Sequence, residues 1–100
     1  MTDMNYFKEH IMEELADAVA YAKKAVEVRN KHPKWCCAFQ HMSRNEIQHA
    51  GYLRKMMEEA MYEDSDRTEA EKMYGEVLDE FTKSMAETES LYDLCKWKYS

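Results

Sequence analysis

The sequence predicts an all-α protein, an antiparallel helical hairpin plus a third helix, in one domain spanning residues 1–100. Three observations carry this expectation. Two glycines and one proline in 100 residues leave few breakers among abundant Glu, Ala, Met and Lys. No stretch of useful length alternates apolar and polar residues as a half-buried strand does. Apolar residues instead recur at alternating four- and three-residue spacing along three stretches, separated by Asn30-Lys31-His32-Pro33 and Glu63-Asp64-Ser65-Asp66.

Helix 1 is expected over about 4–30, with a cap among Thr2 to Asn5. Its apolar line reads Phe7, Ile11, Glu14, Ala18, Tyr21, Ala25, Val28, so a single carboxylate interrupts the seam. Asp17 lies one turn beyond Glu14, His10 one turn before it, and Tyr21 four residues past Asp17, so polar groups gather at one level. Pro33 suits the first position of the next helix and opposes continuation of the previous one.

Helix 2, expected over about 33–62, has the line Trp35, Phe39, Met42, Glu46, His49, Leu53, Met56, Ala60. Six of these eight are apolar. The exceptions form Glu46-Ile47-Gln48-His49, a Glu-x-x-His motif whose two side chains share one helical stripe. A carboxylate and an imidazole in a core seam are costly unless something pairs with them. His41, Arg44, Asn45 and Gln48 fall off the seam, on a solvated flank or as hydrogen-bond partners around the motif. Gly51, inside the helix, costs about 1 kcal/mol relative to Ala and is read either as room for another helix beside the site or as neutral drift.

Helix 3, expected over about 66–97, starts at Asp66 with Glu69 in a capping-box-like arrangement. Its line, Met73, Val77, Phe81, Ser84 or Met85, Thr88, Leu91, Cys95, carries no histidine and no second Glu-x-x-His.

The short connection between helices 1 and 2 makes them antiparallel neighbours. Counting from the turn, Glu14 sits about 17 residues back, and Glu46 and His49 about 15 and 17 residues forward, so their heights agree within roughly one turn. The three seam exceptions are therefore expected to face one another, and a metal ion is the partner their spacing suits best.

Bulk properties narrow the remaining classes. The net charge of -6 and pI near 5.2 argue against nucleic acid or an anionic membrane as partner and suit cations. No basic leader precedes an apolar run and no 18-residue apolar stretch occurs, so the chain reads as soluble and cytoplasmic. Cys36, Cys37 and Cys95 lack C-x-x-C spacing, and adjacent cysteines on a helix diverge by about 100°, which excludes a rubredoxin- or zinc-ribbon-like site and leaves small buried thiols. There is no Gly-rich phosphate loop and no Gly-x-Ser-x-Gly elbow.

The donor set Glu14, Glu46 and His49 is carboxylate-rich with one imidazole, which suits iron or manganese, also accepts zinc, and leaves coordination positions open. One chain supplies only one such set. A dinuclear centre would take its other half from a second copy, and a thin 100-residue core also favours oligomerisation.

Glu14 with Asp17 on one helix and Glu46-Ile47-Gln48-His49 on the next resemble half of a ferritin-like di-iron site, in the manner of the short encapsulated ferritins. The resemblance covers about residues 5–60. It implies a chain that dimerises into a ferritin-like four-helix bundle, a homodimer or larger homo-oligomer, with a di-iron ferroxidase centre at the subunit interface. Carried over, Glu14 is a terminal ligand, Glu46 the bridging ligand and His49 the terminal imidazole, these three being the catalytic set, while Asp17 helps gather or bind metal. Asp17 is shorter than the expected Glu, and helix 3 is long and rich in Met and aromatics, which points to a plain dimer rather than a ring. The C-terminus, Leu94-Cys95-Lys96-Trp97-Lys98-Tyr99-Ser100, is unlike a capsid-loading peptide, so an encapsulin shell is not an expected partner.

Two other classes stay open on sequence grounds. One is a metal-free helical interaction protein using its acidic surface and its nine methionines, which serve core packing or an adaptable interface. The other is a di-iron oxidase or peroxide scavenger, with Tyr21 or Tyr52 as a neighbouring donor, although a core tyrosine is commoner than a redox one.

Overall fold

The structure, a computed structural model, describes residues 2–97. Three α-helices, α1 (Thr2–Val28), α2 (Pro33–Glu63) and α3 (Arg67–Trp97), pack as a bundle with extents of 52 × 17 × 15 Å. Lys98, Tyr99 and Ser100, the last part of the C-terminal heptapeptide discussed above, lie outside the described residues. Among the described residues no helix is long and apolar enough to cross a membrane.

The turns follow from local chemistry. The His32 N–H donates to the Val28 carbonyl (2.7 Å) as α1 ends, and Pro33 opens α2 where a missing N–H costs nothing. At the second turn the Asp66 N–H donates to Oδ1 of Asp64 (2.8 Å) and the Glu69 N–H to Oδ1 of Asp66 (3.3 Å), half of the expected capping box. That bond from Asp66 holds the Asp64 carboxyl below its ordinary range. The cap expected among Thr2 to Asn5 is corrected: α1 already includes Thr2, and Asp3 lies in its first turn, where a carboxylate complements the helix dipole.

The main core joins Met4, Ile11 and Leu15 of α1, Ala50, Met57 and Met61 of α2, and Ala70, Met73 and Val77 of α3. A smaller cluster of Ala25, Val28, Cys36 and Cys95 closes the end beside the first turn. Cys37 is exposed, so only two of the three thiols are buried. In α3 the ambiguity at Ser84 or Met85 resolves toward Ser84, which is buried, while Met85 is exposed.

The seam expected for α2 is corrected. Trp35, Met42 and Met56 are exposed, and besides Met61 the buried residues are Cys36, Ser43, Ala50 and Met57. Each of these is one residue on from Trp35, Met42, His49 and Met56, about 100° round the helix. The reason is α3, which needs a third face. The Lys8–Glu76 bridge (2.8 Å), the Arg54–Tyr74 bond (2.7 Å) and Arg44 over the Tyr92 ring (4.3 Å) fix α3 against one flank of the hairpin. The α2 core turns toward that flank and leaves Trp35, Met42 and Met56 at the opposite edge, while Phe39, Leu53 and Ala60 of the same stripe stay half-buried against the core.

Candidate metal centre

Glu14 projects from the middle of α1 and Glu46 and His49 from the middle of α2. One ligand atom from each, with all three within 4.8 Å of one another, makes a compact donor group. Nδ1 of His49 is 3.5 Å from Oε2 of Glu14 and 3.5 Å from Oε1 of Glu46, too long for strong hydrogen bonds. The Glu14 and Glu46 side chains are 27% and 19% exposed, whereas that of His49 is 57% exposed. The group is thus a shallow cup: two carboxylates form its floor and the imidazole its rim.

Electrostatics inside the cup set the two carboxyls against each other. Oε2 of Glu14 is buried and has no hydrogen-bond partner, a condition that ordinarily costs on the order of 1–3 kcal/mol. Glu46 is pushed from 4.5 up to about 7. The largest cause is the carboxyl–carboxyl hydrogen bond to Glu14 when Glu46 is protonated, followed by burial and by the Glu14 charge, with His49 pulling the other way. Two close carboxyls with a nitrogen donor at hand fit a divalent cation that prefers oxygen and imidazole ligands.

Asp17 does not join the group. Its side chain is exposed, and its charge is the smallest of the influences raising Glu46. His10 is engaged elsewhere, its ring tilted against that of Tyr6 (4.3 Å between ring centres) with Nδ1 3.6 Å from Glu13. Tyr21 is half-buried and stacks on Phe39 (6.2 Å) in the floor of the α1–α2 groove, whereas Tyr52 is exposed and accepts from Nε2 of Gln48 (3.2 Å). Gly51 does not border the site. It shares a face with Ile47 and Arg54, on the α3 flank, and a Cβ added there would meet nothing within 4 Å.

Residue spacing alone did not single out Ser43. Its Oγ donates to the Ala18 carbonyl (2.6 Å) and accepts from Tyr92 Oη (2.6 Å), tying all three helices one turn from Glu46. The available signal was its place in the line Cys36, Ser43, Ala50, Met57, a second seven-residue repeat beside the more conspicuous one. No protein-family model matches this sequence, and neither the curated proteins nor the solved structures provide a match.

Proposed function

We propose that the chain is a ferritin-like ferroxidase: two copies pair through the open flank of the hairpin and oxidise ferrous iron at a di-iron carboxylate centre between them. The observation that supports this best is the Glu14–Glu46–His49 cup, with a buried, unpartnered carboxylate oxygen opening onto an exposed apolar stripe. Ferrous iron is the substrate, and manganese and zinc suit the same donors.

In this reading Glu14 and His49 are terminal ligands and Glu46 lies where a carboxylate reaches toward the partner's half. Iron held as a pair supplies two one-electron donors to one oxidant, dioxygen or peroxide. Glu46, held above its ordinary range, would lose its proton as the cation binds, and the negative charge of the cup would favour the ferric product over the ferrous substrate. Tyr21, half-buried two turns from Glu14 and stacked on Phe39, would limit water on that side. Asp17, exposed at the lip, attracts cations without ligating them.

A second reading draws on the same stripe. Exposed Trp35, Met42 and Met56 also suit a metal-free protein that docks a partner helix through adaptable side chains. Anaerobic Fe(II) titration followed by oxygen exposure separates the two. The ferroxidase reading expects about one iron per chain, with oxidation slow or absent in Glu46→Ala and His49→Ala. Iron binding unchanged in His49→Ala, or none in the wild type, leaves the interaction protein.

A further inference from the structure

We propose that the open flank docks a second copy of this chain antiparallel, α2 against the partner's α2 in reversed direction, so that the Lys31/Lys34 end of one chain meets the Glu59/Glu63 end of the other. This rests on the dimer proposed above and adds its direction and register.

Charge is segregated along the rod. Lys31 and Lys34 are exposed at the first turn, and Glu59 and Glu63 are exposed at the far end of α2, roughly 40 Å away at 1.5 Å per residue. None of the four has a hydrogen bond or ion pair among the described residues. Lys34, Glu59 and Glu63 also lie within about 40° of one another round the helix, on the outer edge of the apolar stripe.

The stripe is self-complementary on reversal. Turning α2 end for end about the midpoint between Glu46 and His49 sets Trp35 over Ala60, Phe39 over Met56 and Met42 over Leu53, so that the largest side chain meets the smallest. Lys34 then comes level with position 61 of the partner, about 3 Å along the axis from both carboxylates. The two metal cups fall at one height. With the two-fold axis along the rod instead, lysine ends meet lysine ends and glutamate ends meet glutamate ends, which like-charge repulsion disfavours.

The test is sedimentation of the Zn(II)-loaded protein at low ionic strength, with helicity checked for every variant. Lys31→Glu with Lys34→Glu weakens the dimer at least tenfold, as does Glu59→Lys with Glu63→Lys. All four reversals together restore it to within about threefold of wild type, because complementarity returns only in the antiparallel pairing. A fourfold variant as weak as either double variant overturns the proposal. Exposed Cys37, with Cys36 and Cys95 buried, accepts a spin label for an independent distance. Antiparallel pairing separates the two labels by about 32 Å along the axis alone. A dimer with labels closer than about 25 Å overturns the direction and leaves the dimer standing, whereas a chain that stays monomeric with Zn(II) overturns the dimer itself.

Discussion

Nδ1 of His49 lies 3.5 Å from Oε2 of Glu14, an oxygen that is buried and has no hydrogen-bond partner. Fourteen residues of α1 and sixteen of α2 separate this pair from the turn between the helices, so their meeting depends on hairpin register. That makes Glu14 the residue whose cost to the fold and value to the site are most clearly opposed.

Glu14→Gln therefore stabilises the metal-free protein. The amide keeps the shape, removes a buried charge from beside Glu46 and can donate to it. At pH 8, urea denaturation is expected to show a gain of about 1–2 kcal/mol. Stabilisation by Zn(II), read as the shift in midpoint at saturating metal, is expected to fall steeply in the same variant. A variant less stable than wild type without metal would show that the orphaned oxygen carries no strain.

The raised Glu46 carboxyl predicts an unusual acid limb. Its folded value of about 7 lies above the ordinary 4.5, so between those values the folded state binds more protons than the unfolded one. Stability then falls as pH rises from about 4.5 to about 7 and levels off above, by on the order of 1–3 kcal/mol. Denaturant midpoints measured across pH 5 to 8 without metal check this, and Glu46→Gln is expected to flatten that limb.

Helix type and boundaries were legible because they depend on local signals: Pro33, the Asp64–Asp66 turn and the scarcity of glycine. The cup was legible because Glu14, Glu46 and His49 stood out against apolar lines whose heights match across a short turn. The side of α2 that faces the core was not. Trp35, Phe39, Met42, Leu53 and Met56 form a more apolar line than Cys36, Ser43, Ala50 and Met57, and periodicity ranks lines by hydrophobicity alone. Small residues such as Ala50 and Ser43 win the core here because α1 and α3 both approach them closely, a fact of three-helix packing that no single helix encodes. Asp17 stays exposed and outside the Glu14, Glu46 and His49 group.

The Ser43 bridge gives an ordered pair of mutational costs. Tyr92→Phe removes one donor, yet Ser43 still donates to the Ala18 carbonyl, so a loss of about 1 kcal/mol is expected. Ser43→Ala strands the buried Tyr92 hydroxyl and removes the bond to Ala18, with an expected loss of about 2–3 kcal/mol. Chemical denaturation of both variants checks the order, and the reverse order would mean that the Tyr92 hydroxyl finds another partner once Ser43 is lost.

Gly51 separates the two flanks of α2. Helical glycine costs about 0.5–1 kcal/mol relative to alanine through backbone entropy, and here no neighbour within 4 Å would meet the added methyl. Gly51→Ala is accordingly expected to raise stability by that amount. Because Gly51 shares its face with Ile47 and Arg54, the latter bonded to Tyr74 of α3, the substitution stands away from the Trp35–Ala60 stripe. Zn(II) affinity and the sedimentation behaviour of the loaded protein should not change. If Gly51→Ala weakened self-association while stabilising the single chain, the docking face would have to be moved from the His49 edge of α2 to the groove beside α3.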